Sequence, residues 1–209
     1  MSKNEANELN LKLILIGDSN VGKTTLLYKY IDDEIKDDIT PTVGLENKVK
    51  TIQIKGINAK IQIWDTAGQE KFNSLTKNFF TNTDGILIIF DLTNKTSFTN
   101  IKNWIEDVKD KQGHKIKKII VGNKADLKDK RKVTKEDIKS KTEKYKYIEV
   151  SAVNGNNVEK AFDTLIKAIV GKRTDEELIA DFGMDEQILS LSGSTINNVN
   201  KEKKKKCCK

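Results

Sequence analysis

The stretch Gly17-Asp18-Ser19-Asn20-Val21-Gly22-Lys23-Thr24 combines two glycines, a lysine and a hydroxyl at a spacing suited to gripping a chain of phosphates. Glycine lets the backbone take positive φ and approach an anion closely, so that successive N–H groups point at it. The apolar run Leu11 to Gly17 precedes the loop and a helical pattern from Thr24 to Ile31 follows, so the positive end of a helix faces the same anion. On this reading the backbone of Ser19, Asn20, Val21 and Gly22 cradles the phosphates together with Lys23, Thr24 and Thr25. Lys23 bridges the β- and γ-phosphates, and the Thr24 hydroxyl binds Mg2+. A glycine turn with an incidental Lys-Thr would need neither the strand before it nor the helix after it. The pattern points to a bound nucleotide.

Asn123-Lys124-Ala125-Asp126 follows the apolar run Ile116 to Gly122. A carboxylate in the plane of guanine accepts from both N1–H and the 2-amino group. Adenine lacks that amino group and presents an acceptor at N1, so it would leave a buried carboxylate unpaired. Sites built on such bonds discriminate by roughly 10⁴-fold or more. Lys124 can lay its methylene stem over the purine, and Asn123 can tie this loop to the phosphate loop. Ser151-Ala152-Val153 offers backbone N–H groups for the base carbonyl, a weak signal by itself. Asp65-Thr66-Ala67-Gly68-Gln69 closes the run Lys60 to Trp64. Asp65 is the strand-end acid expected to hold the Mg2+ site through a water, the Gly68 N–H can contact a γ-phosphate, and Gln69 can orient an attacking water. Thr66-x-x-Gln69 also fits a capping box, so the glutamine alone does not establish hydrolysis.

Positioning these groups requires strands that end together at one edge of a sheet. Val49 to Lys55 and Lys60 to Trp64 alternate with period two around Gly56-Ile57-Asn58, which predicts a hairpin. Gly85 to Leu92 and Ile116 to Gly122 are continuous apolar runs, as central parallel strands require, and a last strand is expected at Tyr147 to Val150. Ser97 to Val108 and Val158 to Val170 carry apolar residues at helical spacing. Strands alternating with helices predict an α/β fold: a doubly wound, mostly parallel six-stranded sheet with one antiparallel hairpin strand and helices on both faces, the P-loop NTPase arrangement. The expected domain spans 11–171, between a flexible 1–10 and a flexible tail 172–209 in which Asp175 to Leu191 is the one stretch with helical character.

The chain has 209 residues, 36% of them hydrophobic and 33% charged, a polar balance that still supplies one full core. No apolar run approaches the ~18 residues that cross a bilayer. The N-terminus has no secretory pattern, Ser2 excludes N-myristoylation, and two cysteines exclude a disulfide framework. His114 is the sole histidine, which excludes a His-rich zinc site. A reducing compartment is the expectation. Residues 201–209, KEKKKKCCK, carry +5 of the net charge of +7 and leave only +2 for the rest. A basic terminus of this kind suits an anionic lipid surface at least as well as nucleic acid.

In the order GDSNVGKT, Thr42, WDTAGQEKF, GILIIFDLT, VGNKADL and SAVNGNNVEKAF, the chain from about Leu11 to Val170 resembles the Ras-like small GTPases, most closely the Rab branch. The resemblance implies a GTP- and GDP-binding switch that uses Mg2+, hydrolyses GTP slowly and governs vesicle traffic. It makes Thr42 a Mg2+ ligand beside Thr24 and Asp65 when the γ-phosphate is present. It assigns Lys23, Gly68 and Gln69 to catalysis, and makes Ile39 to Lys48 and Gly68 to Phe80 two switches that GTP orders. Implied partners are an exchange factor, an activating protein that supplies charge stabilisation, a GDP-dissociation inhibitor, escort and prenyl-transfer machinery, and GTP-dependent effectors. The resemblance implies a monomer without nucleic-acid partners, cycling between cytosol and the cytoplasmic face of intracellular membranes. Cys207 and Cys208, in a terminal Cys-Cys-x, resemble a double prenylation signal; Lys206 at the fourth position from the end excludes C-a-a-X. Two lipid chains hold firmly where one holds reversibly. Lys203 to Lys206 would add roughly 1 kcal/mol each near an anionic leaflet. The 35 residues from Lys172 to Lys206 would reach about 30–35 Å as random coil.

The chain departs from the family at Val43-Gly44-Leu45-Glu46-Asn47, at Ile35 and Ile39 in place of aromatics, at Phe79-Phe80 in place of tyrosines, and at Val153 in place of a basic residue. These positions bear on effector identity and base affinity. Three rival readings remain open: a nucleotide-gated scaffold that hardly hydrolyses, a nucleic-acid-binding protein using the lysine tail, and an ATPase or kinase, which Asp126 disfavours.

Overall fold

A computed structural model describes residues 9–33, 45–54, 57–66, 80–112 and 116–171. Among them the chain order is β1 (Leu9–Ile16), α1 (Lys23–Asp32), β2 (Leu45–Ile54), β3 (Ile57–Thr66), β4 (Gly85–Asp91), α2 (Lys95–Gln112), β5 (Lys117–Asn123), α3 (Lys135–Thr142), β6 (Lys146–Glu149) and α4 (Val158–Val170). The six strands form one sheet in the order β2-β3-β1-β4-β5-β6, parallel throughout except for the β2–β3 hairpin. This is the doubly wound arrangement expected from the alternation of strand and helix patterns.

The continuous apolar runs of the central strands resolve into two faces with period two. Leu13, Leu15, Leu87, Ile89, Ile119 and Val121 join one cluster with Leu26 and Leu27 of α1 and Phe162, Leu165 and Ile169 of α4. Ile14, Ile16, Ile86, Ile88, Phe90 and Ile120 join the other with Phe98, Ile101, Ile105 and Val108 of α2 and Ile138 of α3. A strand buried on both sides has no polar alternation, and this is why β4 reads as an unbroken apolar run. Helix α4 buries seven residues from Val158 to Val170, and burying each of the larger ones gains roughly 1.5–3 kcal/mol. Phe162 stacks on Tyr30 of α1 with ring centroids 3.8 Å apart.

The hairpin departs from its sequence reading. Strands β2 and β3 pair from Leu45↔Thr66 to Ile54↔Ile57, so Ile57 and Asn58 belong to β3 rather than to the turn, and β2 begins at Leu45 rather than Val49. Only two residues separate the paired ends, the shortest common hairpin connection, and its length fixes the register. Strand β2 is an edge strand whose side chains alternate between exposed and half-buried, so its N-terminal half carries little apolar signal. Strand β1 likewise begins at the buried Leu9, two residues early. Helix α3 has no counterpart among the elements that the sequence pattern predicts. Its one buried large apolar residue is Ile138, and it begins with a capping box in which the Thr134 hydroxyl accepts from the Asp137 N–H (3.1 Å) and the Thr134 N–H donates to the Asp137 carboxylate (3.0 Å).

Candidate functional site

Parallel strands β1, β4 and β5 and the antiparallel-paired β3 bring their ends to one edge, where the chemically active stretches meet. The β1–β3 register Leu15↔Asp65 delivers Asp65 to the point where the chain leaves β1 for the phosphate loop. The hydroxyl of Thr66 donates to the Leu15 carbonyl (2.8 Å) and fastens the two strand ends.

The loop needs glycine at both of its ends. Gly17 has φ +144°, and a Cβ there would stand 2.1 Å from the Ile89 carbonyl oxygen of β4. Gly22 has φ +89°, and a Cβ would stand 2.5 Å from Nδ2 of Asn123. The buried Lys23 donates from Nζ to the Gly17 and Asp18 carbonyls, 2.9 Å each. Burial pushes its ammonium down to about 8, against the opposing pull of the Asp65 and Asp18 carboxylates. Gly22 caps α1 without a side chain, and the first turn carries no acid, which leaves the positive helix end open to an external anion. The Thr24 hydroxyl donates to Oδ2 of the fully buried Asp65 at 2.5 Å. A hydroxyl and a carboxylate held together are hard oxygen donors of the kind Mg2+ takes, and that ion uses few protein ligands when phosphates and water complete its shell.

Asn123 joins three segments. Its Nδ2 donates to the Val21 carbonyl of the phosphate loop (2.9 Å), and its Oδ1 accepts from the Ala152 N–H (3.1 Å). It is 1% exposed. Lys124, in the left-handed region at φ +65°, donates to the Asn20 carbonyl (2.9 Å) and pairs with Asp91 at the end of β4 (2.7 Å). The Ser151 hydroxyl donates to Oδ1 of Asp126 at 2.5 Å, which fixes one carboxylate oxygen. Ser151 and Ala152 are buried, whereas Val153 is 52% exposed. Ser19, Asn20, Val21, Gly22, Lys23, Thr24, Thr25, Asp65, Asn123, Lys124, Asp126, Ser151, Ala152 and Val153 therefore lie in segments that converge at this edge. Thr42, Gly68, Gln69, Ile35, Ile39, Phe79, His114, Cys207 and Cys208 lie outside the described residues. So does the tail.

Sequence reasoning missed two acids of the site. Asp91 anchors Lys124, and Asp18 accepts from side chains of α2. Neither partnership has a local pattern in the chain. Glu46, within the unusual run after residue 42, accepts from the Tyr28 hydroxyl (2.6 Å) and so links β2 to α1.

Residues 12–171 match the Ras family. The chain belongs to the Ras family, as a Rab-type member. Ras-related protein Rab-8B of Homo sapiens is 43% identical over 163 residues, covering 77% of this chain and 79% of the relative. Ras-related protein Rab-8A of Mus musculus is 42% identical with the same coverage, and Ras-related protein Rab-8 of Diplobatis ommata is 42% identical over 77% of this chain and 78% of its own length. This Rab-type protein is a small GTPase that hydrolyses GTP and takes part in membrane traffic. No helix among its described residues is long and apolar enough to cross a membrane.

Proposed function

We propose that this GTPase is a switch that binds GTP or GDP together with Mg2+ at the β-strand edge, hydrolyses GTP slowly, and engages effectors only in the GTP state. The observation that carries the reading is the bond pair at Asn123, which ties the phosphate loop, the Asn123–Asp126 loop and the Ser151–Val153 loop together at one edge of the sheet. At that edge Lys23 and the N–H groups of residues 19–22 hold the phosphates, Asp126 accepts from guanine N1–H and the 2-amino group, and the stem of Lys124 lies along the ring. Thr24, Asp65 and Thr42 would hold the Mg2+, which would supply charge neutralisation to the phosphates. Gly68 steadies the γ-phosphate through its N–H, and Gln69 orients the attacking water.

Hydrolysis without help is slow because the one arginine among the described residues is already paired and does not meet the charge that develops. Of its two arginines, Arg131 is taken up by both carboxylate oxygens of Glu149 (2.8 and 2.7 Å) and by the Val133 carbonyl, and Arg173 lies outside the described residues. An activating protein supplies that charge, an exchange factor resets the switch, and a GDP-dissociation inhibitor with its escort machinery carries the lipidated form. Residues 11–171 form the switch, and 172–209 tether it through Cys207, Cys208 and the lysines to the cytoplasmic face of intracellular membranes.

The test of base recognition is competition for the loaded protein among GTP, ATP and XTP, with Asp126→Asn as the variant. Wild type should prefer GTP over ATP by roughly 10⁴-fold. The variant should turn towards xanthine, whose 2-oxo group meets the new amide donor. Equal displacement by ATP and GTP would contradict the assignment of Asp126.

A further inference from the structure

An acid inside a loop that grips phosphates is at odds with the loop's own chemistry, and nothing in the glycine-lysine pattern requires Asp18. The structure turns that carboxylate away. Oδ2 accepts from Nδ2 of Asn100 (2.7 Å) and Oδ1 accepts from Nε1 of Trp104 (2.8 Å), both on α2 and 82 and 86 residues away. The main-chain carbonyl of the same residue accepts from Nζ of Lys23 (2.9 Å). One residue thus has its carboxylate on α2 and its carbonyl on the loop lysine.

We propose that Asp18, held by Asn100 and Trp104, is a positioning residue that fixes the first half of the phosphate loop and thereby sets how slowly nucleotide leaves. The inference rests on the reading that nucleotide phosphates bind in this loop. Three observations carry it. The second half of the loop is fastened from β5, with Val21 bonded to Asn123 and Asn20 to Lys124, while the first half is held by Lys23 from within and, among the described residues, by α2 through Asp18. Helix α2 is a rigid support, since Phe98, Ile101, Ile105 and Val108 are buried under the sheet and Trp104 packs against the same cluster. Asn100 and Trp104 stand four residues apart and so share one flank of the helix. Both bonds end on an ionised acceptor, the stronger class of hydrogen bond. A released carboxylate could swing towards Lys23, where it would compete for the ammonium and repel the phosphates. Both effects weaken the nucleotide's hold.

The experiment uses the full-length protein loaded with a fluorescent GDP analogue and Mg2+, chased with excess GDP. Rates are compared for wild type, Trp104→Phe, Asp18→Asn and the double variant. Phenylalanine keeps an aromatic ring but cannot donate, and release should quicken about tenfold. Asparagine at 18 leaves the Trp104 indole a single neutral acceptor, a weaker bond than the carboxylate gives, so release should quicken here too. The double variant should be no faster than the faster single one, because Trp104→Phe removes the bond that Asp18→Asn weakens. Several results would overturn the proposal: unchanged release in Trp104→Phe, even with a lower melting temperature; effects that multiply in the double variant; or slower release in Asp18→Asn, the sign expected if the acid acts only by charge. A second readout does not depend on Trp104→Phe folding. In 15N-labelled protein, whose two tryptophans are Trp64 and Trp104, the Trp104 indole N–H resonance should move on Asp18→Asn, and an unmoved resonance would refute the bond. Wild-type protein that takes up no guanine nucleotide would overturn the functional reading and the inference with it. Uptake with rates indifferent to Trp104→Phe overturns the inference alone.

Discussion

Replacing Asn123 by alanine should do more damage than its size suggests. The side chain makes two neutral hydrogen bonds, to the Val21 carbonyl and from the Ala152 N–H, in a position 1% exposed. Two such bonds contribute about 2 kcal/mol, and each partner left buried without a mate costs up to about 1–3 kcal/mol more unless water reaches it. Allowing for partial hydration, Asn123→Ala should cost about 2–4 kcal/mol. The loss should divide between folding and nucleotide affinity, because the bonds fix loops at the site rather than the sheet beneath. The assay is urea denaturation of the GDP-loaded protein, followed by GDP release under the same conditions. If half of the cost falls on binding, affinity drops roughly five- to thirtyfold. A midpoint within error of wild type together with unchanged release would refute the claim that Asn123 joins the three loops.

Gly17→Ala should abolish soluble folded protein, since its Cβ would stand 2.1 Å from a backbone oxygen of β4 that has no room to move; a normal melt would contradict the packing. Lys23, held down to about 8, is largely neutral above that pH in the nucleotide-free protein, yet phosphates bind its charged form. Binding of GDP at pH 9 should therefore take up close to one proton, measured by calorimetry in buffers of different ionisation enthalpy, and zero uptake would contradict the burial argument. Arg131 and Tyr147 hold the Glu149 carboxyl below its ordinary 4.5, so its contribution is full above that value and fades as pH falls through the lowered one. Glu149→Gln should cost about 1 kcal/mol at neutral pH, a figure kept small by the pair's partial exposure, and the gap should close on acidification below 4.5. Changing Cys207 and Cys208 to serine should move the protein from membranes to cytosol in a fractionation experiment, without altering GTP turnover.

The legible parts of the fold were those whose signal is local. Strands β4 and β5 and helix α4 announce themselves because full burial demands unbroken apolar runs or a broad apolar stripe. The N-terminal half of β2 does not, because an edge strand with exposed Leu45 and Val49 and half-buried partners needs no apolar alternation. Helix α3 hid for the same reason, with Ile138 as its single large buried residue, although the Thr134-Asp137 capping pair was there to be read. The site divides likewise. Gly17, Gly22, Lys23 and Asn123 lie in motifs whose spacing encodes their geometry. The partners of Asp18 and Lys124 do not, because they depend on which strands become neighbours: β4 beside β1 and β5 brings Asp91 to Lys124, and α2 to the phosphate loop.

The central claim is that this edge of the sheet holds a guanine nucleotide and that Gln69 places the water that cleaves it. Its most direct test is the nucleotide carried by the purified protein, with single-turnover GTP hydrolysis in Mg2+ for wild type and Gln69→Leu. Bound GDP, slow turnover by wild type and a further loss in the variant are the predicted results. Guanine nucleotide held with no turnover, or with a rate indifferent to Gln69→Leu, would contradict the hydrolytic role given to that residue.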